Sequence, residues 1–309
     1  MAARDTAARP ELRLRAERRR IGEDVVKGVL ALCALISVAT TVGIVLALFA
    51  PAIEFFGEIS LVDFFTGTEW APLFEPARFG VVPLITGTLL VTAIASVVAM
   101  PFGLGAAIYL SEYASPRMRG ILKPAFEVLA GIPTIVFGYF ALTFMTPLLR
   151  DLGIQVDIFN TLSAGLVMGV MLLPTVASLS EDAMAAVPRD LRAGAYALGS
   201  TKLQVATRIV VPAAVSGIIA SFVLAISRAV GETMIVLVAM GQQPTLTFDP
   251  REAAETMTAF IAATGAGDVP TGSIEYKTIF AVGATLFVLT LVMNVFAIRL
   301  VRRYREVYE

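Results

Sequence analysis

Apolar and polar positions alternate along this chain in long blocks. Residues 29–50, 161–180 and 279–298 contain no charged side chain. A bilayer core of about 30 Å is crossed by about 20 helical residues, so each block predicts one membrane span. Three further blocks are long but interrupted: 83–110 by Pro101, 125–149 by Pro133 and Glu127, and 209–241 by Arg228 and Glu232. Prolines inside spans read as kinks, because neighbouring helices re-satisfy the freed backbone groups. The expected fold is an all-α membrane protein with six transmembrane helices over residues 25–309, preceded by a basic tail over 1–24.

Composition supports the pattern. Hydrophobic residues make up 57% of the chain and charged residues 16%, against about 45–50% and about 25% in soluble domains. The 24 Lys and Arg nearly balance the 25 Asp and Glu, so no global basic field points to nucleic acid. Placement is informative where the totals are not. With the N-terminus in the cytoplasm, the cytoplasmic segments (residues 1–28, 111–124, 181–208 and the tail from Arg299) hold nineteen basic residues. The opposite side holds four: Arg78, Arg150, Arg251 and Lys277. That asymmetry predicts a multi-pass membrane protein with both termini cytoplasmic. The 22-residue first block exceeds a signal-peptide core of about 7–15 residues, so it is expected to stay as a signal anchor. The arginines before it suit anionic lipid headgroups.

Catalytic chemistry is thin. The chain has no His, and its single cysteine, Cys33, lies in an apolar block, which together exclude His-based catalysis, most transition-metal sites and any intrachain disulfide; no catalytic residue or metal ligand is assigned. Its four lysines follow Val, Leu, Thr and Tyr, so the Gly-Lys step of an ATP-binding loop is missing. No cofactor is expected, and any ATP-driven work would need ATP hydrolysis on another chain.

One polar stretch, 181–212, carries ordered helix signals. Pro188 suits a first turn, Asp190 the N-terminal dipole, and Leu191, Ala195 and Leu198 recur at helical spacing before Gly199 as a C-terminal stop. Ser200 or Thr201 suits the cap of a second helix that runs into the fifth span at Pro212. This describes a short amphipathic helix on the cytoplasmic face, resting on lipid or docked into another protein.

Arg228 and Glu232 stand out inside a span. Four residues apart on a continuous helix, they would share a face directed to the bundle interior, since charges facing lipid cost about 2.5–3.5 kcal/mol each. They are then either a structural ion pair or a transport element. In the second case Arg228 offers a planar fork to a tetrahedral oxyanion, and Glu232 positions it and weakens its grip. Glu127, three residues after Pro124, reads as a charge at the start of a helix.

Several stretches together resemble a family. Gly199, Ile209, Val211 and Pro212 match the spacing of the EAA loop of ABC importer permeases, with Ala193-Gly194-Ala195 where the family has Glu-Ala-Ala. The segments over 79–114 (FGVVPLITGTLL…), 127–142 (EVLAGIPTIVFGYFAL) and 228–233 (RAVGET) look like the phosphate-specific ABC importer permeases of the PstC type. The resemblance implies a type I ABC importer permease fold and a coupling helix over 188–199 that inserts into a cytoplasmic ATPase. It also implies a second permease subunit, two ATP-binding subunits and an external phosphate-binding protein. Sulfate or molybdate import, and a secondary transporter using Glu232 as a proton relay, stay open as alternatives.

Overall fold

The structure is a computed structural model that describes residues 21–303; the basic tail falls outside it up to Arg20. Helix α1 (Ile21–Glu58) opens the chain, followed by α2 (Leu61–Thr66) and an antiparallel ribbon of β1 (Trp70–Ala71) and β2 (Arg78–Phe79), with Trp70 opposite Phe79. Helix α3 (Val82–Ile108) ends in a wide π turn over Tyr109–Tyr113 and is followed by α4 (Pro116–Gly131). Then come α5 (Thr134–Phe140), a π turn (Ala141–Met145) and α6 (Thr146–Asp151), before the long α7 (Thr161–Ala185). The short α8 (Arg189–Ala197) leads to α9 (Lys202–Val205), a π turn (Ala206–Val210) and α10 (Val211–Ala213). Helices α11 (Val215–Val230), α12 (Met234–Ala239), α13 (Met257–Gly265) and α14 (Ile274–Arg303) complete the fold.

Four of these helices are long and apolar enough to cross a membrane, and the number rises to six when each of two sharply bent pairs counts as one span. The all-α, six-span expectation holds in that form. The portion of α1 up to Ala47 forms a unit by itself, and its apolar side chains, such as Leu30, Leu35 and Ile44, are exposed. Such a surface suits lipid.

In the larger unit, from Leu48, α3 and α7 pack along their length. Glycines permit the approach: a Cβ on Gly103 would sit 2.7 Å from Val176, one on Gly165 2.7 Å from Ile94, and one on Gly169 2.6 Å from Val98. The Gly165-to-Gly169 spacing thus marks a close helix contact. Ala95, Ala99, Met168, Met171 and Leu172 fill the core between these helices, with Ile235 and Ala239 of α12. A second cluster gathers Phe55, Phe64, Trp70 and Phe260 in edge-to-face contacts near the ribbon. A third joins Ala107, Met184, Val187 and Ala195 beneath α8.

Two expected spans are not continuous helices. Pro133 does more than kink the third. Ile132, before a proline, takes an extended conformation (φ −69°, ψ 129°), and α4 meets the segment from Thr134 at 89°. Glu127 therefore lies near the C-terminal end of α4, where the dipole disfavours it, and not at a helix start. The fifth apolar block is in pieces. Pro212 has no N–H to continue the helix, a π turn precedes it, and the chain bends by 71° at Ala214 before α11. That block breaks again between Val230 and Met234.

Candidate functional site

Two places draw the polar chemistry of the chain together, one at the end of α11 and one around α8.

Arg228 lies in the last turn of α11, its side chain exposed, and its Nη1 donates to Thr175 Oγ1 of α7 at 3.3 Å. Glu232 lies beyond the end of that helix and is only 8% exposed. Its Oε1 accepts from the backbone amides of Met234 at 3.0 Å and Ile235 at 3.3 Å, so the carboxylate is spent on the otherwise unpaired amides at the N-terminus of α12. The hydroxyl of Thr258 donates to the Glu232 carbonyl at 2.7 Å, pinning the break to α13. The expected pairing on one helical face is thus not formed, because the helix stops between the two residues. Among the described residues, no ion pair joins Arg228 to a carboxylate.

Around α8 the local signals fold as expected. Pro188 precedes the helix, Leu198 closes it, and Gly199 turns the chain at φ +78°, its N–H donating to Tyr196 O at 2.9 Å. Thr201, not Ser200, caps α9, exchanging hydrogen bonds with Gln204 in a capping box. The apolar positions divide. Ala195 is 8% exposed and packs inward, while Leu198 is 88% exposed, and Leu191, Tyr196 and Leu203 are also exposed. The outer side of this region therefore presents apolar side chains among its exposed polar ones.

Sequence reasoning missed what fastens α8. Arg192 donates to Glu112 in the π turn that ends α3, to the Met184 carbonyl at the end of α7 and to the Val187 carbonyl in the link to α8. Beside it, Lys123 of α4 contacts the buried Glu181 of α7 at 2.6 Å. Residues this far apart in the chain leave no local signal, and a polar arginine on an amphipathic helix looks like any solvated one. A group of three or more potential metal ligands is not found among the described residues.

Residues 99–306 match the family model described as the inner membrane component of binding-protein-dependent transport systems. This chain belongs to that family. It is an ABC importer permease and a multi-pass inner membrane protein. A probable ABC transporter permease, YqgH, from Bacillus subtilis is 34% identical to it over 271 residues, covering 86% of this chain and 87% of that protein. The phosphate transport system permease PstC of Xylella fastidiosa is 34% identical over 256 residues, covering 76% and 77%. The fold matches a solved bacterial ABC transporter involved in the import of the polysaccharide alginate, with a TM-score of 0.63 over 93% of this chain and 100% of that one, at 18% identity. The permease match begins within α3 and takes in both the α8 region and the α11 end, so the whole candidate site lies inside the family's shared segment.

Proposed function

We propose that this permease is the membrane subunit of an ATP-driven importer of inorganic phosphate, with Arg228 and Glu232 at the translocation path and α8 as the helix that receives force. The observation that carries the reading is Arg228: an exposed guanidinium on a membrane helix, held by one hydroxyl and facing no carboxylate at ion-pair distance among the described residues. Such a group suits passage of a tetrahedral oxyanion, to which it can offer paired N–H donors. The relatives that are named as phosphate permeases support phosphate as that anion.

ATP is hydrolysed on a separate chain, two copies of which engage the permease pair from the cytoplasm. The exposed Leu191, Tyr196, Leu198 and Leu203 supply the apolar contact, with Pro188, Ala195, Gly199 and Pro212 shaping the segment. A second, homologous permease completes the passage, and an extracytoplasmic phosphate-binding protein delivers the substrate. Both termini lie in the cytoplasm on this reading, which the nineteen-to-four distribution of basic residues supports. Capture by the N-terminal amides of α12 occupies the Glu232 carboxylate and argues against its use as a proton relay.

The test is ATP-dependent uptake of labelled phosphate by the reconstituted complex, with sulfate and molybdate as competitors. Arg228→Gln should abolish uptake and leave assembly with the ATPase intact. Normal uptake by an assembled Arg228→Gln complex would refute the assignment of Arg228, and competition by sulfate or molybdate at equal strength would refute phosphate as the preferred anion.

A further inference from the structure

Arg192 is the one side chain of α8 bonded to two transmembrane helices at once. Its Nε and Nη2 donate to Glu112 Oε1 at 3.3 and 3.1 Å. Nη1 reaches Val187 O at 2.7 Å, and Nη2 also reaches Met184 O at 2.8 Å. The acceptors come from opposite partners: Glu112 sits in the π turn that ends α3, and the two carbonyls belong to the end of α7 and the residue leading into α8. The pair is withdrawn from water, with side-chain exposures of 18% for Arg192 and 6% for Glu112, so solvent weakens it far less than a surface pair.

A planar guanidinium fixes three acceptors in one geometry, which the single ammonium of a lysine does not. A second link runs alongside: Lys202, opening α9, lies 5.0 Å from the centre of the Tyr113 ring in the same π turn. What Arg192 holds is itself stiff. Helices α3 and α7 touch backbone-close at Gly103, Gly165 and Gly169, and a well-packed pair transmits displacement as a body. Arg119 adds to this by donating to Leu110 O and Ser111 O, both at 2.6 Å, which fastens α4 to the same end of α3.

We propose that Arg192, held by Glu112, is the positioning residue that locks α8 to the α3–α7 pair, so that displacement of α8 moves both helices together. The proposal rests on the reading of α8 as the force-receiving helix. It adds the point at which that force enters the membrane bundle. The far end of the chain of contacts is Thr175, on the same α7, which holds Arg228.

Removing Arg192 alone would strand a buried carboxylate and unfold the region for an uninteresting reason. The informative variant is therefore the neutral double substitution E112Q/R192Q, with R192K as the conservative arm. The full complex is reconstituted with the binding protein, and phosphate imported per ATP hydrolysed is measured. E112Q/R192Q should assemble in normal yield and hydrolyse ATP, with import per ATP reduced roughly ten-fold, the scale of an ordinary coupling between sites. R192K should lie between it and the unaltered chain. In parallel, spin labels at Arg189→Cys on α8 and Val97→Cys on α3, in a Cys33→Ser background, report the distance between the two helices with and without a non-hydrolysable ATP analogue. That distance should stay narrow and constant with Arg192 present, and broaden or shift on nucleotide binding in E112Q/R192Q.

Unchanged import per ATP together with an unchanged distance overturns the joint and leaves the phosphate reading standing. Absence of phosphate import by the unaltered complex, with the distances as expected, overturns phosphate and leaves the joint standing. Failure of both E112Q/R192Q and R192K to assemble makes Arg192 a folding residue and also overturns the proposal.

Discussion

Glu255 gives a prediction whose sign and size follow from its surroundings. The stretch leading into α13 lies tightly on α3: a Cβ on Gly87 would come within 2.3 Å of the Glu255 carbonyl oxygen, and the Met257 amide donates to Thr88 at 3.1 Å. This places the Glu255 side chain, 5% exposed, at a cavity of about 460 Å³ lined also by Trp70, Gln242, Phe260 and Asp268. Burial pushes its carboxyl from 4.5 up to about 7. The folded state therefore binds this proton more tightly than the unfolded chain. Its contribution is fully present below about pH 4.5, is lost as pH rises, and is gone above about pH 7. A displacement of that size corresponds to roughly 3 kcal/mol across the window. Unfolding of the purified chain in detergent, followed by the fluorescence of its single tryptophan, Trp70, at the same cavity, measures it. Stability of the unaltered chain should fall between pH 5 and pH 8. Glu255→Gln should match it at pH 5, exceed it by up to roughly 3 kcal/mol at pH 8, and lose most of the slope. Because Asp268 faces the same cavity, the difference between the two chains is the decisive quantity. If Glu255→Gln retains the original pH slope, burial of Glu255 is not its source.

Two further outcomes test the packing and the loop. Gly169→Val would drive its side chain into Val98, 2.6 Å from the glycine's Cβ position, and should cost about 1–3 kcal/mol in the same unfolding assay. Gly105→Ala, with nothing within 4 Å, should be nearly silent beside it, and equal losses would mean that the α3–α7 approach is not what the glycines serve. Gly199→Pro cannot adopt φ +78° and deletes the N–H bonded to Tyr196 O, so it should uncouple ATP hydrolysis from transport. Unchanged phosphate-dependent ATPase activity in proteoliposomes would count against that.

The long charge-free blocks were legible because nothing competes with them: 29–50, 161–180 and 279–298 all fall inside α1, α7 and α14. The α8 region was legible for a different reason, since Pro188, Gly199 and Thr201 act on their own backbone and need no distant partner. The breaks were hidden. A proline in an apolar run is compatible with a kink or a sharp corner, and the 89° turn at Pro133 depends on where α4 packs. Arg228 and Glu232 misled through spacing, because an i to i+4 relation presumes helix in between. Gly231, one residue before Glu232, was the local sign of a stop. Arg192 and Glu112 are eighty residues apart, and only the folded chain brings them together.

The break between Arg228 and Glu232 changes what the path must do. A contacting carboxylate would offset the guanidinium locally. Here Glu232 is held by two amides of α12 and Arg228 by a neutral hydroxyl. On the proposed reading an anion meets a cation with no contacting counter-charge, and release cannot rely on Glu232 alone. The remaining handle is position. Thr175 holds Arg228, Thr175 lies on α7, and α7 is fastened through Arg192 to α8, so a movement of α8 changes the support of the guanidinium. The two variants should then fail in different ways. E112Q/R192Q should hydrolyse ATP with import per ATP reduced roughly ten-fold, because much of the displacement no longer reaches α7. Arg228→Gln should still pass the displacement to α7 but offer no cation to the anion. In the spin-label experiment Arg228→Gln should therefore behave like the unaltered chain, and a broadened α3–α8 distance in that variant would refute the separation of the two failures.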